Sequence, residues 1–250
     1  MTLELWRLPL LASGPFAGVF VATFAVSWPR WPRPLIGRSR CARCGAPVPA
    51  LRQTPVLGWA ASRGRRNCCG GRIPLAYPLG EGAGLLVGLT AALAASGPVA
   101  GALWFGLGLV LIYVALVDLR RFALPRAGLL AIGVLGVAAQ ALGVQGDGLV
   151  QGLSAGVGVF AVLELLRRLF AARGRHGGLG TGDPWLAGAL AIWAGPSAAA
   201  PMVLAASLIG LAWIGLRRKP GPLPFGPALA LAGFGSAIVA PQLHNWAFPG

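Results

Sequence analysis

Acidic side chains are almost missing from this chain: six Asp and Glu stand against 21 Lys and Arg in 250 residues. Charged residues of both signs make up only 11% of the sequence and apolar ones 56%, whereas a soluble domain carries about 25% charged residues. That scarcity excludes a soluble globular protein, and the chain reads as an integral membrane protein. A signal-peptide pattern is lacking as well. The first apolar run, Leu8–Trp28, has no basic residue ahead of it except Arg7 and no small-residue cleavage site, so it reads as a retained span. Histidine is limited to His176 and His244, which the topology below puts on opposite faces, so neither is expected to bind a metal. No internal repeat of the transporter type is found. A net charge of +15 would suggest nucleic acid in a soluble protein. Here the arginines stand at the ends of apolar runs, so they read as topology signals with modest attraction to anionic lipid, and no nucleic-acid partner is expected.

What is present is an ordered pattern of charge. Twenty of the 21 basic residues fall into four clusters, Arg30–Arg72, Arg120–Arg126, Arg167–Arg175 and Arg217–Lys219. The turns 96–97, 145–148 and 195–201 contain no Lys or Arg. A span needs about 20 apolar residues, and the apolar stretches come in pairs between the clusters: Leu8–Trp28, Tyr77–Ala95, Pro98–Val117, Ala127–Val144, Leu149–Leu166, Asp183–Ala194, Met202–Leu216 and Phe225–Leu243. If each crosses a bilayer once, all four clusters share one face, which the positive-inside rule makes cytoplasmic. The expected fold is therefore an all-α polytopic membrane helix bundle of about eight transmembrane helices. Its parts are a first transmembrane helix (1–28), a cytoplasmic Arg/Cys-rich loop subdomain (29–76) and a membrane core (77–250). Most of the tryptophans, Trp28, Trp31 and Trp246 among them, read as interfacial anchors, and the abundant helical glycines as sites of close backbone packing.

The acids are few enough to weigh singly. Glu4 and Asp147 fall in segments on the far face and need no special role. Glu164 with Arg168 reads as an i,i+4 pair. Asp118 closes the third span and Asp183 opens the sixth, so both lie at one depth near the arginine-rich face, where ionisable groups are costly and often functional. Two such carboxylates could share a proton and activate a water between them for amide hydrolysis. Other readings of the same residues are an Asp118 ion pair with Arg120 or Arg121, a helix start with Asp183 as N-cap before Pro184, and proton or cation coupling in a small transporter. Four cysteines, Cys41, Cys44, Cys68 and Cys69, lie in the arginine-rich segment on the reducing side, where metal binding competes with free thiols and disulfides are disfavoured. Cys41 and Cys44 have zinc-knuckle spacing. Cys68 and Cys69 are adjacent, and closing a four-thiolate site with them needs an unusual turn.

Taken in order, these residues resemble the prepilin peptidases, the type IV leader peptidases of bacterial inner membranes. The likeness rests on Cys41-Ala42-Arg43-Cys44-Gly45, Thr54-Pro55-Val56-Leu57-Gly58-Trp59, Arg63-Gly64-Arg65, Ile73 with Tyr77-Pro78-Leu79-Gly80-Glu81, Asp118-Leu119-Arg120 with Leu124-Pro125, Gly178-Leu179-Gly180-Thr181-Gly182-Asp183, and Leu223-Pro224-Phe225-Gly226-Pro227. The resemblance implies a GxGD-type membrane aspartic endopeptidase that cuts the basic leader from prepilins or pseudopilins, with Asp118 and Asp183 catalytic and no cofactor for the cut. Gly180 and Gly182 would let the substrate backbone approach closely. Phe225 and the small residues of the last span are candidates for lining a substrate groove, and Glu81 for a role at the cytoplasmic loop. A degenerate relative that binds pilin-like helices without processing them is an alternative. Bifunctional members also methylate the new N-terminus with S-adenosylmethionine, and here the chain departs from their pattern. Ala22-Thr23-Phe24-Ala25-Val26 lacks the family's first-span Asn, Arg66 replaces one cysteine of the second pair, and Pro184-Trp185 stands where a lysine is usual. These departures put methyl transfer in question.

Overall fold

In the computed structural model, residues 4–29, 40–41, 43–49, 57–174, 179–216 and 223–247 are described. Trp31, Thr54–Val56, His176, Gly178 and the Arg217–Lys219 cluster lie outside them. The described residues form eight helices and no strand: α1 Arg7–Ser27, α2 Leu57–Ala61, α3 Ala76–Ala94, α4 Pro98–Arg121, α5 Arg126–Ala141, α6 Leu149–Ala172, α7 Asp183–Leu216 and α8 Gly226–Ala247. The expected all-helical membrane bundle is thus found. Five of these helices, α1, α3, α4, α6 and α7, are long and apolar enough to cross a bilayer; α5 is a shorter apolar helix, and α8 contributes the apolar stretch Gly226–Pro241. The short α2 belongs to the insert.

Local chemistry explains the boundaries. Gly97 and Pro98 open α4, with proline at the first helical position, where its missing N–H costs nothing. Phe122 ends α4 in the left-handed region (φ 51°), and its N–H caps the Asp118 carbonyl at 2.9 Å. Arginines do not stop α6, which runs past Arg167 and Arg168 to Ala172 because Glu164 bonds both guanidinium groups at 2.7 Å.

The expected turn bracketed by Pro196 and Pro201 is corrected: the backbone leaves helical geometry only at Gly195 (φ 65°, ψ 177°), and both prolines lie within the helix that follows. The 34 residues of α7 would extend about 51 Å if straight. Instead both halves meet the start of α8. Leu124 lies against Gly182 and Gly226, and Gly210 lies against Phe225. Gly195 is therefore the tip of a helical hairpin. Pro196 has no N–H to offer the Ile192 carbonyl one turn back, and Gln140 of α5 donates to that oxygen instead, at 2.7 Å. Asp147, to which no role was assigned, lays its carboxylate over Gly195 where any Cβ would collide with it.

The helices pack through small residues. Gly14 and Gly18 of α1 meet Gly80, Gly84 and Gly88 of α3 backbone to backbone, the close contact that substitutes for a hydrophobic driving force in lipid. The central core joins α4, α7 and α8 through Leu107, Leu111, Val114, Leu186, Leu190 and Leu229. Trp104 and Trp193 are buried in it, so these two are core residues and not interfacial anchors. The Trp193 indole N–H donates to the Ile132 carbonyl at 3.0 Å, which explains how a polar ring atom is tolerated there.

Candidate functional site

Asp118 and Asp183 come to one end of the bundle on different helices, and both are buried, 5% and 6% exposed. Asp118 lies in the last turn of α4, one turn before the Phe122 cap. Its Oδ2 accepts the backbone N–H of Gly226, first residue of α8, at 2.9 Å. Asp183 is the first residue of α7, and its Oδ2 accepts the backbone N–H of Gly180 at 2.7 Å. Its side chain therefore reaches back to the preceding loop rather than capping α7, in contrast to the N-cap expectation. The ion pair of Asp118 with Arg120 or Arg121 is also absent among the described residues, whose salt bridges are Arg7–Glu4, Arg167–Glu164 and Arg168–Glu164.

Leu124 links the two acids. The left-handed turn at Phe122 brings the chain back under the end of α4, and Leu124 fills the space between Gly182 and Gly226. A methyl group on Gly182 would lie 2.8 Å from Leu124 Cδ1. One on Gly226 would lie 3.0 Å from Leu124 Cδ2 and 2.7 Å from Asp118 Oδ2. Both glycines are thus required by close approach, not by backbone conformation. In each carboxylate a main-chain amide holds one oxygen. Of the remaining candidates, Glu81 is buried one turn into α3 at the same end, and Phe225 packs against the core and Gly210.

Two small knuckles in the insert carry the cysteines. The bridges Arg40–Pro47 and Arg65–Arg72 each close a tight loop. In the second, the Arg66 and Gly70 amides donate to Gly71 and Arg66 carbonyls at 2.7 Å, and Gly70 adopts φ 65°. That is the turn needed to face two adjacent cysteines the same way. All four Sγ atoms lie within 4.8 Å of one another, with Cys41–Cys69 at 3.8 Å and Cys44–Cys68 at 3.3 Å. A tetrahedral ion with metal–sulfur bonds of about 2.3 Å sets sulfurs roughly 3.8 Å apart, so the cluster fits one. The amides of Arg43 and Cys44 hold the Cys41 thiol down to about 6, while hydrogen bonds of the Cys68 thiol to the Cys44 and Cys41 sulfurs push Cys68 up to about 12. Such crowding disfavours four thiolates together unless a cation sits among them. The insert lies at the same end as the two aspartates, because Arg66 and Arg120 both act electrostatically on the Tyr77 hydroxyl.

Residues 13–95 match the Bacterial Peptidase A24 N-terminal domain and residues 105–215 the Type IV leader peptidase family. A Prepilin leader peptidase/N-methyltransferase of Aeromonas salmonicida is 32% identical over 224 residues, covering 85% of this chain and 75% of its own. The protein of that name from Dickeya chrysanthemi is 31% identical over 275 residues, covering 98% of this chain and 89% of its own. One from Burkholderia pseudomallei is 35% identical over 209 residues, covering 79% and 66%. No solved structure matches significantly.

Proposed function

The chain belongs to the type IV leader peptidase family, and from that premise we propose that it is a prepilin peptidase working by an aspartic mechanism. Its substrates are type IV prepilins or pseudopilins, and the cut falls at the end of the basic leader. The single observation that carries the mechanism is the placing of two buried carboxylates, Asp118 and Asp183, at one end of the bundle, each held by a glycine amide. A water between the free oxygens is deprotonated by one carboxylate as its oxygen attacks the scissile carbonyl carbon. The protonated partner donates to the carbonyl oxygen. The tetrahedral intermediate then collapses, the C–N bond breaks, and the leaving amine takes a proton from the pair. A coupled pair exchanges these roles, so neither is assigned to one residue.

The eight apolar segments, with α7 counted as two, each cross the bacterial inner membrane once. The arginine-rich loops then face the cytoplasm, and the aspartates lie where a leader remains while its apolar helix enters lipid. The cysteine cluster holds a structural zinc through Cys41, Cys44, Cys68 and Cys69, which staples the two knuckles and takes no part in the cut. The missing Asn, the Arg66 replacement and Pro184-Trp185 favour cleavage without methylation.

The test is a purified protein in vesicles with a full-length prepilin, read by intact mass. Removal of the leader without an added methyl mass is the expected product. Binding of the prepilin without a new N-terminus would instead indicate a degenerate relative, and proton or cation flux without processing a transporter. Two variants sharpen the reading. Gly226→Ala retains the N–H but pushes α8 off Asp118 and Leu124, and processing should fall roughly 10- to 100-fold, as for a misplacement near 1 Å, with the helical circular dichroism unchanged. Cys41→Ser should abolish stoichiometric zinc in elemental analysis while prepilin cleavage continues; equal zinc content in the variant removes the four-thiolate site.

A further inference from the structure

We infer that the trough between α1, α4 and α5 is a binding site for an anionic phospholipid, with the headgroup phosphate on Arg126 and an acyl chain against Phe20, Phe24 and Val110. Helices α1 and α5 both pack on α4 but scarcely meet each other. They leave an apolar trough of about 480 Å³ walled by Phe24 and Trp28 on one side and Ala131 on the other, with Tyr113 in its floor. That is the scale of a small-ligand site and suits one acyl chain. Among the described residues that line it there is no acid, and the one charged side chain is Arg126.

The charge at the mouth is unbalanced in three ways at once. Arg126 makes no ion pair among the described residues. It is the first residue of α5, where the helix dipole is positive, and the first turn of α5 contains no acid. The amides of Arg126 and Ala127 have no main-chain acceptor among the described residues. A phosphate oxygen answers all three with charge-assisted hydrogen bonds. The Trp28 indole at the end of α1 suits the headgroup depth. A basic leader, by contrast, would be repelled by the same groups, so the trough fits lipid and not the substrate's charged end. The site is separate from the aspartates, though Arg126 follows Leu124 by only two residues.

The full chain is extracted from vesicles of equal parts phosphatidylglycerol and phosphatidylcholine and weighed intact by native mass spectrometry. Wild type should retain phosphatidylglycerol over phosphatidylcholine by roughly five- to tenfold, the effect of one favourable arginine contact. Arg126→Gln should bring that ratio near parity. Arg173→Gln, an exposed arginine at the end of α6, should leave it unchanged. Ala131→Trp, which fills the trough and spares the cation, should lose both lipids. An unchanged preference in Arg126→Gln overturns the site, as does an equal fall in Arg173→Gln, which would mean diffuse surface attraction. A photo-crosslinker at Phe24 should yield a lipid adduct; a polypeptide adduct would mean that a protein helix occupies the trough.

Discussion

Alanine at either Asp118 or Asp183 should stop prepilin processing in membranes, to a level at least roughly 10²–10⁴-fold below wild type, the share that positioned acid–base groups usually carry. The two single variants should be about as inactive as the double, because a shared proton needs both partners and such pairs are not additive. Asn provides the stricter version. Asp118→Asn retains an oxygen to accept the Gly226 N–H, now 2.9 Å away, and Asp183→Asn retains one for Gly180, so the fold is preserved while the exchangeable proton is lost. If either Asn variant still releases the leader at more than a few per cent of the wild-type rate, the aspartic mechanism is wrong, whatever the alanine variants do. A pulse-chase of the prepilin, scored as the mature fraction, reads the difference directly.

The second large effect concerns the seam between α1 and α3. A Cβ on Gly80 would lie 2.7 Å from the Gly18 carbonyl oxygen and 2.8 Å from Ala22 Cβ. Neither neighbour is a flexible side-chain end, so Gly80→Leu must move one helix away from the other. The cost should be about 1–3 kcal/mol or more, spread over the contacts of Gly14, Gly18, Gly84 and Gly88. Gly82, two positions on in the same helix, meets nothing within 4 Å, and Gly82→Leu should be near neutral. Thermal unfolding in detergent, followed by size-exclusion fluorescence, compares the pair. Equal melting temperatures would mean that the glycine seam contributes no stability of its own.

Much of this molecule can be read along the chain because lipid imposes simple rules. Arginine clusters mark loops, apolar length marks spans, and in so acid-poor a sequence each carboxylate is conspicuous. Asp118 and Asp183 could be singled out without any structure, although they are 65 positions apart. The errors have equally plain causes. Proline spacing suggested a turn over 195–201, but proline is well placed in the first turn of a helix, and the true break is the one residue that can hold φ 65°. The general reading of tryptophans as interfacial anchors fails at Trp193, because nothing in a linear pattern reveals that its indole will find the Ile132 carbonyl inside the core. Adjacent Cys68 and Cys69, by contrast, need an unusual turn to join a four-thiolate site, and Gly70 with the Arg66–Gly71 hydrogen bonds supplies one.

Composition and charge order by themselves determined that this is a multi-pass helical membrane protein, which acids stand near the basic face, and which cysteines lie in the insert. Those features follow from transfer free energies, which act residue by residue. Only the tertiary structure decided that Gly226 and Gly180 amides hold the two carboxylates, that Leu124 sits between Gly182 and Gly226, that α7 folds back at Gly195, and that α1 and α5 part around Arg126. Each of these is a contact between segments remote in sequence, set by backbone shape and packing, for which a one-dimensional pattern of polarity contains no coordinate.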